Sequence, residues 1–146
     1  MAITLKKITL WRKEVDDKPG ALAETLALLA QARTDLQTVM GYGYPGDQGK
    51  AAIELHPVSG KNAIEAARSA GLAASSIPTV LVQGDNRPGL GHTIAKALGD
   101  AGINVGFVLA QVVGRKYAAV FGFENDSDAA KAITLIRKAT APARKR

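Results

Sequence analysis

Two short stretches of the chain combine an acid or amide, a base, a proline and a glycine: Asp16-Asp17-Lys18-Pro19-Gly20 and Asp85-Asn86-Arg87-Pro88-Gly89. A Pro-Gly loop that opens a helix presents unpaired backbone N–H groups and the positive end of the helix dipole, which attract a carboxylate. Gly20 and Gly89 have no side chain, so a ligand can approach that backbone closely. The carboxylates of Asp16, Asp17 and Asp85, or the amide oxygen of Asn86, can take an ammonium group. Such complementarity suits a zwitterion. Pro19, Ala21 and Leu22 adjoin one loop, and Pro88 and Leu90 the other. His92 lies in the first turn of the second helix, within reach of that loop. The competing role is structural, because Asp and Asn before a proline order the turn themselves.

Other chemistries find little support. There is no cysteine, which removes disulfides, thiolate nucleophiles and Cys-ligated zinc. Neither histidine, His56 or His92, has a second metal-type ligand three or four residues away, so no metal site and no cofactor is expected. No serine or threonine is paired with a base and an orienting acid. Glu24, Asp47 and Glu54 have no patterned partner for two-carboxylate work. The reading is therefore of a non-enzyme.

These loops need elements to hold them, and the elements come in two copies. From Pro19 to Pro88 the offset is 69, and it carries Leu29 onto Leu98, Ala32 onto Ala101 and Leu36 onto Val105 without a gap. After the second loop, Leu90, Ile94, Ala97, Leu98 and Ala101 mark one face of a helix; Leu22, Leu26 and Leu29 do so in the first copy. Gly102 ends the second of these helices. Strands follow at 35–44 and 103–113, then turns at 45–49 and 114–116, then return strands at 51–58 and 117–123. Gly43, Gly46 and Gly49 read as glycines of the first turn. Further helices fall at 61–70 and 127–138, the latter capped within Asn125–Asp128. The strands leading into the loops are 8–15 and 79–84, with short apolar stretches ahead of them at 3–5 and 72–77. No strand follows the last helix, so residues 3–5 are expected to supply the one that the second copy lacks.

Strand, helix, strand, strand, helix, strand is the ferredoxin-like order. The expected fold class is α+β: two ferredoxin-like βαββαβ units over residues 1–71 and 72–140, with antiparallel sheets and helices on one face. Units of about 70 residues are marginal alone, so the two are expected to share a sheet or a core.

Asn86-Arg87-Pro88-Gly89-Leu90, leading to Asp100-Ala101-Gly102-Ile103-Asn104-Val105, resembles the ACT-domain family of amino-acid-sensing modules. Asp17-Lys18-Pro19-Gly20-Ala21-Leu22 repeats the resemblance, although Arg33-Thr34 stands where the family pattern has Gly-Ile. The resemblance implies a tandem regulatory protein that binds an amino acid where the strand-to-helix loop faces a neighbouring domain. It also adds Asn104 to the candidate residues and implies sheet-edge pairing into a homodimer. The alternative is an interaction module without a ligand, such as a regulatory subunit of an amino-acid biosynthetic enzyme.

Charge and composition narrow the partners. The net charge is +6, but Arg137, Lys138, Arg144, Lys145 and Arg146 are followed or interrupted by no acid, so residues 1–136 are nearly neutral. The stretch 141–146 reads as a disordered basic tail. Tyr117, Phe121 and Phe123 alternate as in an RNA-recognition strand, yet Ala119 breaks the row and Val80-Leu81-Val82 offers no partner ring. Nucleic acid is not expected. There is no apolar run of membrane-spanning length and no signal-peptide core near Met1–Trp11, so the expected setting is cytoplasmic.

Overall fold

The computed structural model describes residues 3–46 and 49–142; Asp47 and the last four residues of the expected tail lie outside them. In chain order the elements are β1 (Thr4–Ile8), β2 (Trp11–Asp16), α1 (Ala21–Gln31), β3 (Thr38–Gly43), β4 (Lys50–His56), α2 (Lys61–Ser69), β5 (Ala73–Ala74), β6 (Thr79–Asp85), α3 (Leu90–Asp100), β7 (Val105–Val113), β8 (Lys116–Phe123) and α4 (Asp126–Ala139). The chain divides into two units. Thr9–Ser76 forms the first, and residues up to Ile8 join those from Ile77 onward to form the second. The division at residues 71 and 72 is thus displaced at both ends.

The first unit contains a four-stranded antiparallel sheet in the order β3-β4-β2-β5, and the second one in the order β1-β6-β8-β7. Each is the ferredoxin-like arrangement. In the second unit β1 holds the place that β5 holds in the first, pairing Thr4 with Gln83 through Ile8 with Thr79. Residues near 3–5 therefore do supply the missing strand. The continuous strand read at 8–15 breaks at Thr9-Leu10, because Ile8 pairs in one sheet and Trp11 pairs with Leu55 in the other.

Helical periodicity sets the cores. In α3, Leu90, Ile94 and Leu98 are buried, one residue per turn. They pack with Val80, Val82, Tyr117, Phe121, Phe123 and Ile136, and the rings of Phe121 and Phe123 stack with centroids 6.4 Å apart. Those aromatic rings face the core, which removes a base-stacking surface. In α1 the buried face is Ala21, Thr25 and Leu29 rather than Leu22, Leu26 and Leu29. Thr25 satisfies its buried hydroxyl by donating to the Ala21 carbonyl at 2.9 Å. Leu22 is left 45% exposed, beside the Pro-Gly loop. The first core is aliphatic: Leu29, Ile53, Leu55, Ala67 and Leu72, with Trp11 half-buried against them. The α4 N-terminus is capped as read, with the Asn125 side chain accepting from the Asp128 N–H at 2.8 Å.

Candidate functional site

In the first unit, β2 ends at Asp16 and the chain turns through Asp17-Lys18-Pro19-Gly20 into α1. The Asp17 N–H donates to the Gly49 carbonyl at 2.9 Å, tying the loop to the turn after β3. Gly20 has φ 90°, a left-handed conformation that a Cβ disfavours. No side chain caps α1; the Ala21 N–H donates to the Lys18 carbonyl at 3.3 Å. Lys50 lies 2.8 Å from Asp16; its hydrogen bond and charge hold the Asp16 carboxyl below the usual carboxylate range.

This loop borders a cavity of about 230 Å³. Asp16, Asp17, Lys18, Ala21 and Leu22 form one wall, Gly41, Tyr42 and Gly43 of β3 the other, and Val15 with Ala51–Ile53 the bed. On the other flank of the loop a second cavity, about 270 Å³, shares Asp16, Lys18 and Ala21 and extends to Glu24, Thr25 and Lys50. Four of the residues read from the sequence, Asp16, Asp17, Ala21 and Leu22, thus come together around one space. Pro19 and Gly20 shape the turn without lining it. Lys18 and the β3 residues were not anticipated. The glycines Gly41 and Gly43, alternating on one strand, were the available signal.

The second loop repeats the backbone: Gly89 has φ 81°, α3 has no side-chain cap, and Lys116 pairs with Asp85. The Asn86 N–H donates to the Arg115 carbonyl at 2.8 Å, and Asn86, Pro88, Gly89 and His92 are exposed. Leu90 is only 2% exposed and belongs to the core. Asn104 lies beyond the other end of α3, where its amide donates to Glu124 at 3.2 Å. An eleven-residue helix separates it from the loop by roughly 16 Å. The second unit therefore does not gather its candidates as the first does.

A polar cluster occupies the face of the first sheet away from the helices. Glu54 is 1% exposed and accepts from the Tyr42 hydroxyl at 2.9 Å, while its Oε1 has no hydrogen-bond partner. Arg12, opposite Glu54 in the register, donates to the Tyr44 hydroxyl and lies 5.9 Å from the centre of that ring. Burial acts to lower the Arg12 pKa, but hydrogen bonding to Tyr42 and the charges of Tyr44, Tyr42 and Glu54 raise it. Burial, then the bond to Glu54, raises the Tyr42 hydroxyl.

A larger groove, about 460 Å³, runs between the end of α1 and the start of α2, lined by Arg33, Thr34, Asp35 and Lys61 among others. It contains none of the candidate residues. Among the described residues there is no group of three or more His, Asp or Glu side chains that could hold a metal ion. No described helix is long and apolar enough to cross a membrane.

Two ferredoxin-like units, one completed by a strand from the start of the chain, define the fold of ACT-type regulatory domains. Solved structures share it. The regulatory subunit of aspartate kinase from Thermus thermophilus, in its ligand-free form, matches with a TM-score of 0.63 at 16% identity over 97% of this chain and 98% of its own. Its counterpart from Thermus flavus gives 0.57 at 17% identity over 97% and 98%. A protein from Bacteroides thetaiotaomicron gives 0.72 at 14% identity over 89% and 88%. At these identities the likeness is one of fold. No protein-family model and no curated protein matches the chain.

Proposed function

We propose that this chain is a cytoplasmic regulatory module that binds a free amino acid at its strand-to-helix Pro-Gly loop and passes occupancy on to an associated protein. The observation that carries this reading is the cleft of the first unit. It sets an acid (Asp17), a base (Lys18) and an uncapped helix N-terminus beside an apolar bed. An α-ammonium meets Asp17, an α-carboxylate meets Lys18 and the helix N–H groups, and the side chain meets Val15, Leu22 and Ile53. The likeness in fold to regulatory subunits of aspartate kinase supports a regulatory role over a catalytic one.

The module pairs with a second copy through β7. A free edge is ordinarily blunted by charge or shortness. The edge strand β1 carries Lys6 and Lys7, and β5 has two residues, but β7 runs nine residues without a charge and leaves Val108 55% and Val113 66% exposed. Antiparallel pairing of β7 with its copy would cover it about a two-fold axis.

Thermal melting against each of the twenty amino acids at millimolar concentration tests the sensing role. A ligand at about 100 times its Kd adds roughly 2.7 kcal/mol. That corresponds to several degrees for a protein of this size, at about 2–4 °C per kcal/mol. A selective rise supports the sensor. No rise with any of them leaves an interaction module that binds no amino acid.

A further inference from the structure

Two glycines of β3 require explanation. Gly41 stands opposite Ile53 and Gly43 opposite Ala51, so both lie on the side of the sheet that carries the helices, and both line the cleft. Neither has a positive φ, so backbone geometry does not call for glycine at either position. Inside a strand glycine forfeits packing and order, and it is favoured where a ligand or another backbone must come close.

Space is what these positions provide. A Cβ built on Gly41 would meet nothing within 4 Å, and one on Gly43 would stand 3.0 Å from the Asp17 carboxylate, inside the cleft. In the second unit, 69 residues further on, the same strand positions hold Ala110 and Val112. Their partners across the ladder, Ala119 and Tyr117, belong to the second core, so the two positions occupy the matching face.

Resting on the proposed amino-acid-sensing function, we propose that Gly41 and Gly43 determine the specificity of the cleft and restrict binding to the first unit. The ligand is an α-amino acid with an aliphatic side chain. That side chain lies over the bare backbone of β3 against Leu22 and Ile53, while the ammonium reaches Asp17. The bed offers no charged partner for a side-chain charge. At about 230 Å³, the space is smaller than the roughly 300–1,000 Å³ of sites for drug-sized ligands. One ligand binds per chain.

Titration calorimetry of the full chain with each of the twenty amino acids tests this, using wild type, Gly41→Val, Gly43→Ala and the double variant Ala110→Gly/Val112→Gly. Wild type is expected to bind an aliphatic amino acid with one equivalent per chain. Gly41→Val and Gly43→Ala should each weaken it at least tenfold. Gly41→Val should keep its ligand-free melting midpoint or raise it, because nothing lies within 4 Å of the new Cβ and valine favours a strand. The double variant should take up a second equivalent, because exclusion from the second unit rests on Ala110 and Val112. Equal affinity in both glycine variants, two equivalents per chain in wild type, a single equivalent still in the double variant, or binding confined to charged or aromatic amino acids overturns this inference and leaves amino-acid sensing standing. Failure of wild type to bind any of the twenty overturns both.

Discussion

The two units share a backbone plan and use it differently. At matching positions of the helix-free face, the first unit carries Arg12, Tyr42, Tyr44 and Glu54, and the second Leu81, Gln111, Val113 and Val120. Glu54 and Val120 are both buried, at 1% and 4% exposure. The second unit shows that an apolar residue suffices for folding at this place. A buried carboxylate with one unpaired oxygen is a costly alternative to a hydrophobic pair. The first unit also replaces Ala110 and Val112 with glycines and has no aromatic ring in its buried core cluster, whereas the second packs Tyr117, Phe121 and Phe123. The second unit is built for packing, and the first concentrates its polar groups and open space beside the Pro-Gly loop.

The sharpest way to break that comparison is to empty the second core. Phe121→Ala should cost about 3–5 kcal/mol in urea denaturation. A loss below about 1 kcal/mol would show that the aromatic cluster does not anchor the unit.

The polar cluster comes next. Tyr42→Phe removes the hydrogen bond to buried Glu54 and should cost about 1–3 kcal/mol by the same measurement. Exchanging all four residues for those of the second unit (Arg12→Leu, Tyr42→Gln, Tyr44→Val, Glu54→Val) should cost less than the four single changes added together. Additive losses would mean that the four do not act as a unit.

A smaller effect, of opposite sign, is expected where α1 ends. Arg33 has φ 56°, the position that Gly102 fills in the second unit with φ 73°. Arg33→Gly should stabilise by about 1 kcal/mol, the relief of left-handed strain outweighing the freedom that glycine gains in the unfolded chain. No gain would mean that the Arg33 side chain makes up the difference.

The subtlest test is one of pH. Burial raises the hydroxyls of Tyr42 and Tyr117 above the usual tyrosine range, with Glu54 adding to the effect at Tyr42. The native chain thus holds these protons more tightly than the unfolded chain does. Their contribution to stability is complete at neutral pH and is lost as pH rises from the unfolded value, about 10, through the folded ones. Phenolate absorbance should show Tyr42 and Tyr117 titrating late, and Tyr42→Phe should remove one late component. Titration of Tyr42 and Tyr117 in the unfolded range would contradict the burial.

Much of this fold was legible in the residues. The offset from Pro19 to Pro88 carried the loop, the helix after it and the strand that follows across, because the same turn chemistry and helical spacing recur. The missing strand pointed to residues near 3–5, since a ferredoxin-like sheet needs a fourth strand. What escaped depends on neighbours far along the chain. Thr9-Leu10 had no local mark of a break, because the change of sheet is made by pairing partners. Leu22 fitted the helical period, yet Thr25 takes the buried place by bonding to its own helix. Glu54 had no partner in sequence because Tyr42 and Arg12 reach it across the ladder. Half of the cleft could be read from the Asp-Lys-Pro-Gly loop. The other half lay in Gly41 and Gly43, of which Gly43 read as part of a hairpin turn and Gly41 carried no reading, although both end on the wall of the site.

The most direct test of the central claim is a titration of ¹⁵N-labelled protein with individual amino acids, followed by backbone amide chemical shifts. The account predicts that one amino acid moves the signals of Asp17 to Leu22 together with those of Gly41 to Gly43, and saturates. Shifts centred on Asn86 to Leu90 would place the ligand in the wrong unit, and no shift with any amino acid would contradict the sensor itself.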